Sequence, residues 1–181
     1  MGMPVRPYYT AADVLAMPED GNKCEVVHGE LLVSPGPRLL HQLIVFRLVE
    51  LIGSYLRQNP VGAGFAGGNV SWSEETLVIP DLLVADLTEA RTMSWDRVKT
   101  LLLVIEVLSP SHARQDRFTK RRLYQEVGVP LYWVVDADTQ VVEVWTPDAL
   151  FPVTEHHEIR WHPEGAEDPL VISFEELFRE V

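Results

Sequence analysis

The stretch LLLVIEVLSPSHARQDRFTKRRLY, Leu101 to Tyr124, restricts the possible folds of this chain more than any other. Leu101 to Ile105 are all apolar and read as a strand covered on both faces. Glu106 stands at the end of that strand, and a buried carboxylate without a partner is costly. A cation must therefore reach it in space. The next segment is rich in cations: between Ala113 and Val127 lie Arg114, Arg117, Lys120, Arg121 and Arg122 against Asp116 and Glu126. Wound as a helix at about 100° per residue, this segment puts Asp116, Lys120, Leu123, Tyr124 and Val127 on one side. Arg117, Arg121, Arg122 and Gln125 lie on the other. Lys120 thus shares the side that Leu123 and Val127 bury, needs an acceptor there, and has Asp116 one turn before it for an i, i+4 pair. Asp116 also suits the first turn of a helix.

The rest of the chain supplies layers for this strand to pack against. Thr10 and Asp13 resemble a capping box ahead of a short helix that ends near Pro18. KCEVV and ELLVS flank His28-Gly29, a two-residue hairpin connection. With Val27 facing Glu30, one side of the hairpin carries Glu25, Val27, Glu30 and Leu32. Glu25 reads most simply as an exposed hairpin residue. From Arg38 to Gln58 the pattern is helical, with a stripe through Ile44, Val45, Leu48, Val49, Leu51, Ile52, Tyr55 and Leu56. His41 lies at the first turn of that stripe. Arg47 is assigned to the polar side, where Leu43 and Phe46 are apolar exceptions suited to a subunit contact. A strand is expected near Val70 to Ser73, and TLVIPDLLVAD reads as another. PLYWVVD and VVEVWTP form a meander around ADTQ, FPVTEHHEIRWH adds edge strands, and Ser173 opens a last helix. The expected class is α/β, a central mixed β-sheet flanked by helices with additional β-hairpins, in a single domain over residues 1–181.

Alternation along TLVIPDLLVAD aligns Leu77, Ile79, Asp81 and Leu83, and along the next strand Leu102, Val104 and Glu106. Each row is apolar except for one acid. Two carboxylates on neighbouring strands repel one another unless a cation lies between them, and oxygen ligands suit a hard divalent ion such as Mg²⁺ or Mn²⁺. The plainer reading of the pair is two strand ends reaching solvent.

Composition removes several other classes. The formal charge of −12 excludes nucleic-acid binding by bulk electrostatics, so any phosphate contact must be local. Arg114, Arg117 and Arg121 offer such a local face, although a solvated helix surface accounts for the same run. One cysteine, Cys24, excludes an intramolecular disulfide and a Cys-rich zinc site. No apolar signal core opens the chain and its apolar runs read as too short for a bilayer, so a cytoplasmic protein with no membrane role is expected. His156, His157 and His162 alternate across a strand and do not share an ion. Ser109 and Ser111 lack a visible His and acid arrangement for nucleophilic catalysis.

Pro80-Asp81, the strand ending EVLSPS, the spacing Asp116, Lys120, Tyr124, Gly128 and the following YWVVD resemble the restriction-endonuclease-like family of the PD-(D/E)XK nuclease superfamily. EVVHGELLVSP and His41 resemble its amino-terminal block. The resemblance implies a restriction-endonuclease-like fold that cleaves DNA phosphodiesters with a divalent metal, Mg²⁺ or Mn²⁺. It assigns Asp81 and Glu106 as metal ligands. The superfamily pattern expects a lysine two residues after the second acid, where this chain has Leu108, and Lys120 on the helix is the substitute. Glu30 is implied as an outer ligand or orienting acceptor, and His41 as a phosphate contact or a partner that holds Glu30. Cutting both strands of a duplex suits a homodimer. Two alternatives remain: a DNA-binding or assembly protein that keeps the fold without catalysis, and a hydrolase of a smaller phosphodiester.

Overall fold

The structure, a computed structural model, describes residues 7–109 and 113–181. Helix α1 (Ala11–Leu15) starts at Thr10, whose hydroxyl accepts from the Asp13 N–H while the Asp13 carboxylate accepts from the Thr10 N–H. Strands β1 (Lys23–Val27) and β2 (Glu30–Ser34) turn at His28 and Gly29, with φ of 50° and 78°. Both positive values suit a two-residue hairpin. Val27 faces Glu30 and Glu25 faces Leu32.

Helix α2 (Leu39–Gln58) buries Ile44, Leu48, Ile52, Tyr55 and Leu56 of the expected stripe, while Val45 and Leu51 are half-buried and Val49 is exposed. Arg47 departs from expectation. It is buried and donates to the carbonyls of Leu177 at 3.0 Å and Arg179 at 2.6 Å, so its guanidinium fastens the carboxyl-terminal segment to α2. This helix is also, by length and composition, long and apolar enough to cross a membrane, contrary to the expectation that no run is. Its inner face is taken up by the sheet core.

Strands β3 (Gly62–Phe65), β4 (Val70–Ser73), β5 (Thr76–Val78) and β6 (Leu82–Asp86) follow. TLVIPDLLVAD is therefore two strands, not one. Proline has no N–H for a ladder, and at Pro80 the chain leaves one sheet for another. Helix α3 (Leu87–Ala90) is capped by Asp86 and leads through a 3₁₀ turn, Trp95–Arg97, to β7 (Leu101–Val107). A π-helical segment, Gln115–Lys120, runs into α4 (Arg121–Glu126). The remaining elements are β8 (Tyr132–Asp136), β9 (Val141–Trp145), β10 (Val153–Glu155), β11 (Glu158–Trp161), β12 (Leu170–Ser173) and α5 (Phe174–Leu177).

The central sheet has the order β10-β9-β8-β7-β6-β3 and is mixed, because only β7 and β8 run parallel. A parallel pair needs a crossover, and the π-helical segment with α4 supplies it. Helix α2, β11, β12 and α5 cover one face through Leu103, Ile105, Trp133 and Val135. The crossover helix packs on the other face through Leu123 and Tyr124 against Val104, Tyr132 and Val134. A second sheet, β2-β1-β5-β4, adjoins that face. A bulge pairs Val84 with Leu103 but Ala85 with Leu101. It shifts Leu102 to the α2 side, away from the expected row with Val104 and Glu106.

Candidate active site

The break at Pro80 brings Asp81 to the end of β6, beside the end of β7, since Leu82 is the partner of Ile105. One Asp81 oxygen accepts from the Val107 N–H at 2.8 Å and contacts His41 Nε2 at 3.0 Å. The other lies 3.2 Å from Lys23 Nζ. Burial acts to raise this carboxyl, but the His41 hydrogen bond and the charge of Lys23 outweigh it and hold it well below the usual range.

Glu106, only 1% exposed, has the cation that its sequence context demands. Lys120 Nζ lies 3.0 Å from Glu106 Oε1, 2.8 Å from Glu25 Oε2 and 3.3 Å from Asp116 Oδ1. Tyr124 Oη donates to the same Glu106 oxygen at 3.3 Å, and Tyr132 Oη donates to the Asp116 carbonyl at 3.0 Å, which ties the π-helical turn to the sheet. Burial acts to lower the Lys120 ammonium, yet Glu106, Glu25 and Asp116 together hold it well above the ordinary lysine range. Burial pushes Glu106 up to about 8, with Lys120 and Lys23 opposing and Asp81 and Asp116 adding to the rise. The cluster is short of positive charge: among the described residues, Glu25, Asp81, Glu106 and Asp116 meet only Lys23 and Lys120 as ammonium groups.

Asp81, Glu106, Lys120, Asp116 and His41 thus line one pocket. Glu30 does not join them. It is exposed at the start of β2 and makes no hydrogen bond or ion pair with the cluster, while His41 contacts Asp81 in its place. Glu25, read as exposed, is fully buried. Its Oε1 accepts from the Ile79 N–H at 2.7 Å and its other oxygen meets Lys120. The available signal was its place between apolar residues: Glu25 shares a face with the buried Val27 and Leu32, but the second acid of that row, Glu30, is exposed at the start of β2 and masks it. Lys23 was also missed. It begins β1, where a lysine looks like an ordinary strand end.

The basic face is largely engaged. Arg117 reaches Glu143 at 2.6 Å and Asp136 at 3.5 Å. Arg121 donates to the Arg117 carbonyl and to Gln125, and its guanidinium lies 4.7 Å from the Trp145 ring centre. Arg114 is exposed. Among the described residues no group of three or more His, Cys, Asp and Glu is arranged to hold a metal, the exposed His156, His157 and His162 included. Ser111 lies outside the described residues.

The donor chemistry nevertheless suits a divalent ion. Asp81 Oδ1, Glu106 Oε2 and the Ile79 carbonyl all face one point, held by Lys23 Nζ at 3.2, 3.8 and 3.0 Å. These are hard oxygen donors, and a dication would offset the uncompensated charge of the cluster.

Comparison with known proteins agrees with this architecture. No functionally curated protein matches the chain. A crystal structure titled as that of "a putative nuclease belonging to DUF820" from Anabaena variabilis ATCC 29413 superposes with a TM-score of 0.75 at 22% identity, covering 93% of this chain and 97% of that one. At that identity the likeness establishes a shared fold, the mixed sheet flanked by helices of restriction-endonuclease-like proteins. Residues 11–171 match the Uma2 family, described as "Putative restriction endonuclease". With its fold and nearly its whole length matched, the chain belongs to the Uma2 family of restriction-endonuclease-like proteins.

Proposed function

We propose that the protein is a metal-dependent nuclease that hydrolyses DNA phosphodiester bonds, with Asp81, Glu106 and Lys120 as its catalytic groups. The observation that carries this reading is the buried convergence of two carboxylates from adjoining strand ends with the Lys120 ammonium 3.0 Å from Glu106. Asp81 and Glu106 are the residues that would hold Mg²⁺ or Mn²⁺. When bound, such an ion supplies polarisation of a phosphoryl oxygen and a water of lowered pKa.

The chain's own residues prepare that chemistry. His41 and the Val107 N–H fix the Asp81 carboxylate. Tyr124 and Lys120 fix Glu106, leaving its Oε2 turned toward Asp81 through Lys23. Lys120 is itself held by Glu25 and Asp116, so a positive charge stays at the pocket floor, where negative charge develops on phosphorus. The Leu108 departure from the superfamily pattern is met by an ammonium from the crossover helix. In a homodimer two such pockets could serve the two strands of a duplex, and Phe46, 59% exposed on α2, is a candidate contact.

The test is cleavage of supercoiled and single-stranded DNA with Mg²⁺ or Mn²⁺ by the wild type, Glu106→Gln and Lys120→Ala, each checked for folding by circular dichroism. Cleavage that falls at least about 100-fold in folded Glu106→Gln supports the reading. Equal rates in all three proteins would assign the activity to a contaminant.

A second reading is favoured by one observation, the Lys23 ammonium standing between the two carboxylates. A DNA-binding or assembly protein that retains the fold would keep its acids neutralised in this way. Failure to bind Mn²⁺ at millimolar concentration selects that reading.

A further inference from the structure

Lys23 and Lys120 are not equivalent. The Lys120 side chain is 3% exposed and enclosed by Glu25, Glu106 and Asp116. The Lys23 side chain is 28% exposed, at the open side of the pocket, on a flexible four-carbon stem. Its ammonium faces three oxygens, from Asp81, Glu106 and Ile79, at 3.2, 3.8 and 3.0 Å. Those are the oxygens that the proposed metal centre would use. An ammonium and a dication cannot share them, because both are positive and both need the same lone pairs.

We infer that Lys23 is a tethered cation that holds the divalent ion's place in the free protein and leaves it for a substrate phosphate when the ion enters. The inference rests on the metal-dependent reading above. Without an ion, Lys23 keeps Asp81 and Glu106 from repelling one another. With an ion, the displaced ammonium loses two carboxylate partners while remaining at the mouth of the pocket, and a phosphodiester anion is the partner that restores its pairing. Ion uptake and phosphate binding are thereby coupled, each strengthening the other. Lys23 is then a substrate-contacting residue, and Lys120 is the fixed charge behind it.

The experiment uses the full chain and does not depend on cleavage. Mn²⁺ affinity is measured by electron paramagnetic resonance for the wild type, Lys23→Gln, Lys23→Arg and Asp81→Asn. Lys23→Gln is expected to bind Mn²⁺ at least about tenfold more tightly than the wild type, because the competing charge is gone. Lys23→Arg, which keeps a cation, stays near the wild type. Acetylation of Lys23 followed by mass spectrometry is expected to rise when Mn²⁺ saturates the wild type, and to fall again when a phosphorothioate oligonucleotide is added. A Lys23 that serves only to brace the site predicts the opposite sign, weaker Mn²⁺ binding in Lys23→Gln. If the wild type binds Mn²⁺ through Asp81, with binding lost in Asp81→Asn, and Lys23→Gln binds no tighter, the metal centre stands and this role for Lys23 is overturned. If neither the wild type nor Lys23→Gln binds Mn²⁺, both fall together. Acetylation unchanged by Mn²⁺ also overturns the displacement.

Discussion

Burial in the sheet core pushes the Glu106 carboxyl up, against the pull of the two lysines beside it. That carboxyl titrates at about 8 in the folded chain against 4.5 for a free side chain, so the folded state binds the proton more tightly than the unfolded state. The stability contributed by that proton is complete below 4.5 and is lost as the pH rises through about 8. Asp81, lowered by His41 and Lys23 against its burial, works in the other direction: its contribution is present above 3.8 and disappears on acidification. Urea denaturation of the metal-free protein is therefore expected to give lower stability at about pH 9 than at about pH 6. Glu106→Gln should flatten that alkaline decline, and an unchanged decline would assign it to another group. Lys120 is the other residue on which the cluster depends. Lys120→Met leaves Glu25, Glu106 and Asp116 without their shared ammonium, and a loss of about 3–5 kcal/mol is expected. Adding Glu106→Gln removes one of the carboxyl groups left without that partner, so the double variant should lose less than the two single changes summed. Additive losses in denaturation experiments would mean that the two side chains do not interact.

At the scale of elements, the β1-β2 hairpin is the support for Glu25 and Lys23, and its turn sets the register of both. Gly29 has φ of 78°, and a Cβ there would overlap the Tyr8 ring. Gly29→Ala is expected to cost at least about 1–2 kcal/mol, from the left-handed backbone alone, and thermal unfolding measures it. The same hairpin marks how far the sequence could be read. Its connection and pairing were legible because His28-Gly29 joins two short apolar strands and leaves one register. Helix α2 and the buried side of the crossover helix were legible because each has a period that commits one face to the core, and β8 because its unbroken apolar run suits a strand covered on both faces. Periodicity could not foresee Pro80 handing the chain from one sheet to another, nor the bulge that turns Leu102 away. Both depend on which strands meet, and that is settled by distant segments. Among the site residues, Glu106 and Lys120 were legible as charges on faces that must be buried. Glu25 carried the same signal, but hairpin strands with apolar residues on both sides hide which face turns inward. Lys23 carried none, since its partners come from the β5-β6 break and the end of β7.

Across the whole molecule, charge limits how a nucleic acid can approach. The chain carries a formal charge of −12, and the cations that might offset it are mostly spoken for. Arg117 is paired with Glu143 and Asp136, Arg121 lies over Trp145, and both lysines of the pocket face carboxylates. Among the described residues, the cations at and around the pocket are thus not free to displace counterions from a DNA backbone. Binding of the metal-free protein to a random duplex is thus expected to be weak. Its dependence on salt should be shallow, with a slope of log affinity against log salt smaller in magnitude than about 3, the value for some three neutralised phosphates. A divalent ion changes the balance locally by offsetting the excess carboxylate charge, so affinity should rise with Mn²⁺ while the slope grows by no more than about one further phosphate contact. Fluorescence anisotropy of a labelled duplex over a range of sodium chloride concentrations, with and without Mn²⁺, measures both quantities. A steep slope in the metal-free protein would mean that a basic surface other than the pocket carries the DNA. Arg114, exposed on the crossover helix, would then be the first residue to replace.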